Sequence, residues 1–272
     1  MDLSTLLGLV IGFGTVVVVL ILDGGHFGDL FSVPQAILLI FAGSMSATAI
    51  SVGTKVFMTL PKLVAETMKQ HKSDPSEAIE LLTRMADKAR REGLLALEEE
   101  SKKIKDPFLQ KGIMLVVDGV DPAQVRSILE TTIENLEERH KKGVALFAGA
   151  GGFAPTFGII GTVMGLMHAL QMLDDPQKLA EAIAGAFLAT LWGLLWANLI
   201  FLPLGNKLKT KSQEEVHYRY LLTEGILALQ AGENPRIVRE KLNAFLAPKE
   251  IKTDDGKKKS PAASASTEKA KA

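Results

Sequence analysis

The chain has 272 residues and no cysteine. That absence excludes disulfides, thiolate metal sites and a cysteine nucleophile, and it leaves the redox compartment unread. Catalytic constellations are missing too. No Ser/His/Asp set, HExxH pair or Walker loop stands where chemistry could use it, which argues against an enzyme. No resident metal or cofactor is expected, and nothing in the pattern points to nucleic acid. Positive charge is absent where it would matter for orientation. The link 23–32, DGGHFGDLFS, holds no Lys or Arg, and the opening MDLST has none either.

What is present is hydrophobic length. The chain is 47% hydrophobic and 23% charged, with a mean hydropathy of +0.19. That is too apolar for an ordinary soluble domain and too charged for a wholly membranous one. Four runs approach the roughly 20 apolar residues needed to cross a bilayer: about 3–22, 33–52, 144–172 and 180–204. The first lacks both a basic n-region and a clear small-residue cleavage site, so it reads as a retained helix. The segment 55–143 carries sixteen Lys and Arg and the stretch 206–272 carries fourteen, whereas the link 173–179 has one, Lys178. The positive-inside rule then places both termini and the long middle segment in the cytoplasm.

The water-exposed parts read as helical. Asp-Pro recurs at Asp74-Pro75, Asp106-Pro107, Asp121-Pro122 and Asp175-Pro176, with Asn234-Pro235 alongside. An Asp or Asn cap followed by Pro at the first helical position is a start signal with a mechanism. Apolar residues then recur at helical spacing after Pro75 and Pro122. The expected organisation is an all-α integral membrane protein. Transmembrane helices one and two with a short external loop fill 1–54, and a cytoplasmic helical domain fills 55–143. Helices three and four fill 144–209, cytoplasmic C-terminal helices 210–247, and a disordered basic tail 248–272.

Ionisable residues inside a membrane mark ion paths by default, and these spans read as nearly free of them. His168 is the exception, and its plainer reading is a polar residue near the interface. Small residues are abundant: Ala150, Ala154, Gly158 and Thr162 form one row, Gly161, Gly165 and Ala169 a second, and Ala189, Gly193 and Ala197 a third. Such rows let helix backbones approach closely in lipid, and Trp192 and Trp196 read as packing residues. Pro155 and Pro203 each remove a backbone hydrogen bond and free a carbonyl. A simple kink is one outcome. The other is a polar path lined by those carbonyls with Thr156, Thr162 and Thr190, the charge coming from another chain.

Three segments carry a resemblance: ARREGLLALEEE (89–100), APTFGIIGTVMGL (154–166) and AGAFLATLWGLLWANLIFLPLGNKLK (184–209). Together they resemble the MotA and PomA family of flagellar motor stator proteins over nearly the whole chain. The resemblance implies a pentamer in the inner membrane around two partner chains, MotB- or PomB-like, each supplying a transmembrane aspartate. It implies contact with the rotor switch protein FliG through Arg90 and Glu98, with Arg91, Glu99 and Glu100 as neighbouring candidates. Pro155 and Pro203 match the family's coupling prolines. Thr162 matches a threonine of sodium-type members and Thr190 a second family threonine, so sodium is favoured over the proton as the transported ion. On residues alone, Arg90 and Glu98 share a face only if one helix runs through Gly93, a residue that can equally break it; solvated surface charge is the plainer reading. A TolQ/ExbB-type energiser and a non-conducting membrane scaffold are the competing readings.

Overall fold

The computed structural model describes residues 3–69 and 74–248. Among them every regular element is helical. The described residues divide into two compact units, 3–69 with 138–212 and 74–137 with 213–248.

The first unit contains the hydrophobic runs. Helix α1 spans Leu3–Leu22, and a short 3-10 turn, Phe27–Phe31, leads to α2, Pro34–Val52. Two short helices follow, α3 (Thr54–Phe57) and α4 (Leu60–Met68). Helix α8 runs Pro122–Ala169, and its residues from 138 onward belong to this unit. Helix α9, Pro176–Leu195, passes through a π-helical segment, Trp196–Phe201, into α10, Leu202–Gln230. Among the described residues four helices are thus long and apolar enough to cross a membrane. Their core is built from Ile40, Leu146, Phe147, Ala150, Ala154 and Trp192. Both tryptophans pack inside this chain. Trp192 donates its indole N–H to the Leu30 carbonyl at 2.7 Å, and Trp196 lies against Phe41 and Phe201. Below the spans, the Lys211 ammonium donates to the carbonyls of Glu66 (2.7 Å), Thr67 (3.2 Å) and Lys69. A cation there meets the unsatisfied carbonyls and negative dipole end of α4.

The second unit holds α5 (Pro75–Glu92), a 3-10 turn (Leu94–Leu97), α6 (Glu98–Ser101), α7 (Pro107–Val117), the first turns of α8, the end of α10 and α11 (Pro235–Asn243). Leu82, Leu97, Ile113, Leu129, Leu222 and Ile226 are buried in its core. The Asp-Pro starts behave as the capping argument requires. The Asp74 carboxylate accepts from the Ser76 N–H at 2.9 Å, Asp106 from Phe108 at 2.8 Å, Asp121 from Ala123 at 2.9 Å and Asp175 from Lys178 at 3.2 Å. Asn234 does the same for Arg236 at 3.0 Å.

The unit boundaries fall elsewhere than the domain limits read from hydropathy. Residues 55–69 and 138–143 group with the spans: Lys211 bonds the carbonyls at the end of α4, and Gly143 of α8 lies against Leu63 of α4. The basic tail, apart from Pro248, lies outside the described residues.

Candidate functional site

The small-residue rows bring α8 and α9 into backbone contact. A Cβ added at Gly158 would meet the Ala189 carbonyl at 3.1 Å and the Gly193 Cα at 3.2 Å. One added at Gly193 would meet the Ala154 carbonyl at 2.8 Å, and one at Gly165 the Ala186 Cβ at 2.8 Å. With no side chain between them, the helices approach closely enough for a hydroxyl on one to reach the backbone of the other.

That reach creates an oxygen cluster. The Thr162 hydroxyl lies 3.0 Å from the Gly158 carbonyl of its own helix and 3.0 Å from the Ala186 carbonyl of α9. It also contacts the Thr190 hydroxyl directly. Two hydroxyls and two backbone carbonyls, drawn from both helices, therefore meet around the Thr162 oxygen. Oxygen ligands of this kind replace part of a cation's hydration shell.

The other sequence-predicted residues of the path divide. Pro155 lies inside α8, seven residues before Thr162, and so nearly on the same face. Thr156 does not join the pair. Its hydroxyl donates to the Phe153 carbonyl at 2.7 Å, and it sits exposed on another face of α8. Pro203 is the second residue of α10, two after the end of the π-helical segment. A proline ring crowds the carbonyl four residues earlier, here that of Leu199, and the preceding turn is the one that widens. Asn198, within this turn, donates its amide to the Leu194 carbonyl at 3.0 Å. π turns of this type recur at functional sites.

A groove of about 380 Å³ opens between α2, α8 and α9. Gly161, Gly165, Ala186 and Ala189 line it, and Ala186 is the residue whose carbonyl meets Thr162. The groove also carries Gln35, His168 and Glu181. Glu181 corrects the reading that His168 alone is ionisable along these runs: it stands in the second turn of α9, just inside the apolar stretch 180–204. The signal was visible in the letters but diluted by the surrounding alanines.

In the second unit the charged segment is broken at Gly93, whose φ of +85° is a left-handed conformation that side-chain-bearing residues avoid. Arg90 and Arg91 end α5, whereas Glu98, Glu99 and Glu100 make up most of α6. The single-helix reading of Arg90 and Glu98 therefore fails. Arg91 pairs with Asp87 at 2.9 Å and Glu98 with Lys102 at 3.1 Å. Glu100 pairs with Lys88 at 3.1 Å and Lys103 at 3.6 Å. The Lys88 hydrogen bond, followed by the charge of Lys103, holds its carboxyl below the usual range. Arg90 and Glu99 form no salt bridge among the described residues and are exposed.

Among the described residues the fold is all-helical, with four helices long and apolar enough to cross a membrane and a separate charged helical unit, the architecture of a multi-pass membrane protein. The profile of the MotA/TolQ/ExbB proton channel family matches residues 100–220, and that of the Motility protein A N-terminal region matches residues 6–93. Motility protein A of Bacillus subtilis is 38% identical over 92% of this chain and 93% of its own length. Chemotaxis protein PomA of Vibrio alginolyticus is 38% identical over 90% and 96%. A solved structure of C. jejuni MotAB superposes with a TM-score of 0.87 at 34% identity, covering 91% of this chain and 96% of that one. The flagellar MotAB stator complex from Bacillus subtilis gives 0.85 at 37%, covering 89% and 95%. The chain belongs to the MotA/PomA family of flagellar stator proteins. These relatives are motor components rather than enzymes, and their similarity covers 89–92% of this chain, which favours the stator reading over the TolQ/ExbB-type and scaffold ones.

Proposed function

We propose that the chain is the MotA-type component of a stator that couples sodium flow to rotation of the flagellar rotor, with Thr162 and Thr190 as its contribution to the ion path. The observation that carries the ion is the cluster of two hydroxyls and two carbonyls where α8 meets α9. A bare proton relay needs no such cage, whereas a partly dehydrated metal cation does. Among the described residues no carboxylate bonds to the pair, so the binding charge comes from the transmembrane aspartate of a MotB-like partner. The MotAB complexes of the structural relatives support that partnership. Five copies of this chain around two MotB-like chains, residence in the inner membrane and cytoplasmic termini complete the proposal, the last supported by the distribution of Lys and Arg.

The energies are commensurate. One charge crossing 100 mV releases about 2.3 kcal/mol, and a carboxylate at mid-membrane costs about 2.5–3.5 kcal/mol on insertion scales. Neutralising that aspartate with an arriving ion is therefore large enough to shift a helix-packing equilibrium. Pro155, on the same face of α8 as Thr162, and Pro203, beside the widened turn, are placed to bend with it. On the rotor side, Arg90 and Glu99 meet FliG as exposed charges, with Arg91 and Glu98 sharing the contact. Glu100 braces the segment from behind. Exposed pairs are each worth about 0.2–1 kcal/mol, which suits a contact that forms and breaks repeatedly.

The test is swimming speed in cells carrying this chain with its native MotB-like partner, at fixed membrane potential. Speed rising with sodium supports the proposal. Speed indifferent to sodium makes the motor proton-driven and reduces Thr162 to a packing residue.

A further inference from the structure

We infer that Leu95 is the apolar anchor of the rotor contact, inserting into an apolar socket on FliG whose rim sets an acid against Arg90 and a base against Glu99. The inference rests on the rotor contact proposed above and adds to it a component that salt does not screen. Leu95 is 75% exposed, more than any other large hydrophobic side chain among the described residues of the second unit. A single exposed leucine means little by itself. Leu95 differs because its neighbours fix it in place. In a 3-10 turn, residues three apart share one side. Leu94 and Leu97 accordingly pack into the core of the unit, Leu97 fully buried, and Leu95 is left outside. Gly93, with its φ of +85°, turns the chain out of α5 into this loop. Across the turn Lys88 of α5 holds Glu100 of α6 at 3.1 Å. The buried Ser101 hydroxyl meets the Glu98 carbonyl at 2.7 Å and the Met114 sulfur of α7 at 3.1 Å. The leucine is thus held before any partner arrives, and little conformational freedom remains to be lost on binding.

The surroundings specify the occupant. Arg90 lies in the last turn of α5, before Leu95 in the chain, and Glu99 lies in α6, after it. Both are exposed and neither forms a salt bridge among the described residues. An apolar side chain inside a rim of charges is the anatomy of a binding hot spot, where the centre supplies affinity and the rim excludes water and sets the register. A lipid surface selects basic residues, whereas this rim carries both signs. It fits a protein surface with charges of both signs around an apolar recess. The two parts of the contact obey different physics: the charges steer approach and weaken with salt, and the burial of Leu95 persists.

The experiment titrates purified FliG onto the intact complex of this chain with its MotB-like partner in lipid nanodiscs, at about 50 mM and about 500 mM salt, a range that screens exposed charges. Leu95→Ser should weaken binding about tenfold at both salt concentrations, the worth of burying one aliphatic side chain. Leu95→Met should bind like wild type. Arg90→Ala and Glu99→Ala should each weaken binding by up to about fivefold at low salt and by less at high salt. Ile237→Ser, at the other exposed aliphatic residue of the unit, should change nothing. Unchanged binding in Leu95→Ser while the charge variants weaken it would overturn the anchor and leave the rotor contact standing. A loss in Leu95→Ser confined to low salt, or an equal loss in Ile237→Ser, would do the same. Wild-type binding that is absent, or that none of these variants alters, would overturn the rotor contact itself and the anchor with it.

Discussion

Thr162 has one hydroxyl proton and three oxygens within reach of it: the carbonyls of Gly158 and Ala186 and the hydroxyl of Thr190. Whichever it chooses, acceptor lone pairs remain, and under the proposed function an arriving cation takes them up. A residue-scale prediction concerns the mouth of the adjoining groove. Glu181→Gln removes its carboxylate and should raise the sodium concentration giving half-maximal speed severalfold while leaving the maximal speed in place, because charge in a cleft concentrates counter-ions rather than driving the later step. Speed against sodium concentration, read in low and high ionic strength, checks it; the difference should shrink as salt rises. Titration offers a second. Burial, followed by the charges of Asp106 and Glu77, pushes the Tyr218 phenol up to about 12. A free tyrosine ionises near 10. The neutral phenol therefore favours the folded state fully below pH 10, and that contribution is lost as pH rises through 12. The phenolate absorbance near 295 nm, taken as the difference between wild type and Tyr218→Phe, should appear close to pH 12. A rise near pH 10 would remove Tyr218 from its half-buried setting. Glu100 has the opposite sign. Its depressed carboxyl favours the fold above the usual carboxylate range, and this is lost as pH falls through it.

Elements were legible where their causes are local. An Asp-Pro cap acts on N–H groups two or three residues away, so all five helix starts could be read from letters alone, and Asp106→Ala should cost about 1 kcal/mol of stability, measured as a lowered melting temperature. Gly93 could be seen as a break for the same reason, since its φ of +85° is a property of one residue. The contact between α8 and α9 was legible only as small-residue rows, because nothing in the sequence specifies which rows face each other. The encounter of Thr162 with Thr190, 28 residues apart, and the exclusion of Thr156 both depend on that facing. The π turn was illegible, since a proline announces a disturbed helix but not the direction of the adjustment. Gly158→Val tests the contact. Its side chain has only 3.1 Å to the Ala189 carbonyl, so the helices must part, at about 1–3 kcal/mol for overpacking. Reduced recovery of the assembled complex, with Gly152→Val as the harmless control on an open face, is the expected outcome.

At the scale of the whole molecule, hydropathy and charge located the four spans because bilayer thickness fixes their length. They did not locate the division into units, since α3 and α4 join the spans through packing and the Lys211 clasp rather than through hydrophobicity. The proposed orientation rests on Lys and Arg alone. A chain without cysteine makes that easy to check: a single cysteine in the link 23–32 should react with an impermeant reagent from outside the cell, and one near residue 210 only after the membrane is opened. The central claim remains that the two threonines form this chain's sodium contact. The most direct measurement is the sodium dependence of swimming speed at fixed potential for Thr162→Val, which keeps the branched shape and deletes the oxygen. The account predicts that half-maximal speed shifts to sodium at least tenfold higher while the assembled complex is recovered normally. A variant that assembles and swims with an unchanged sodium dependence would contradict it.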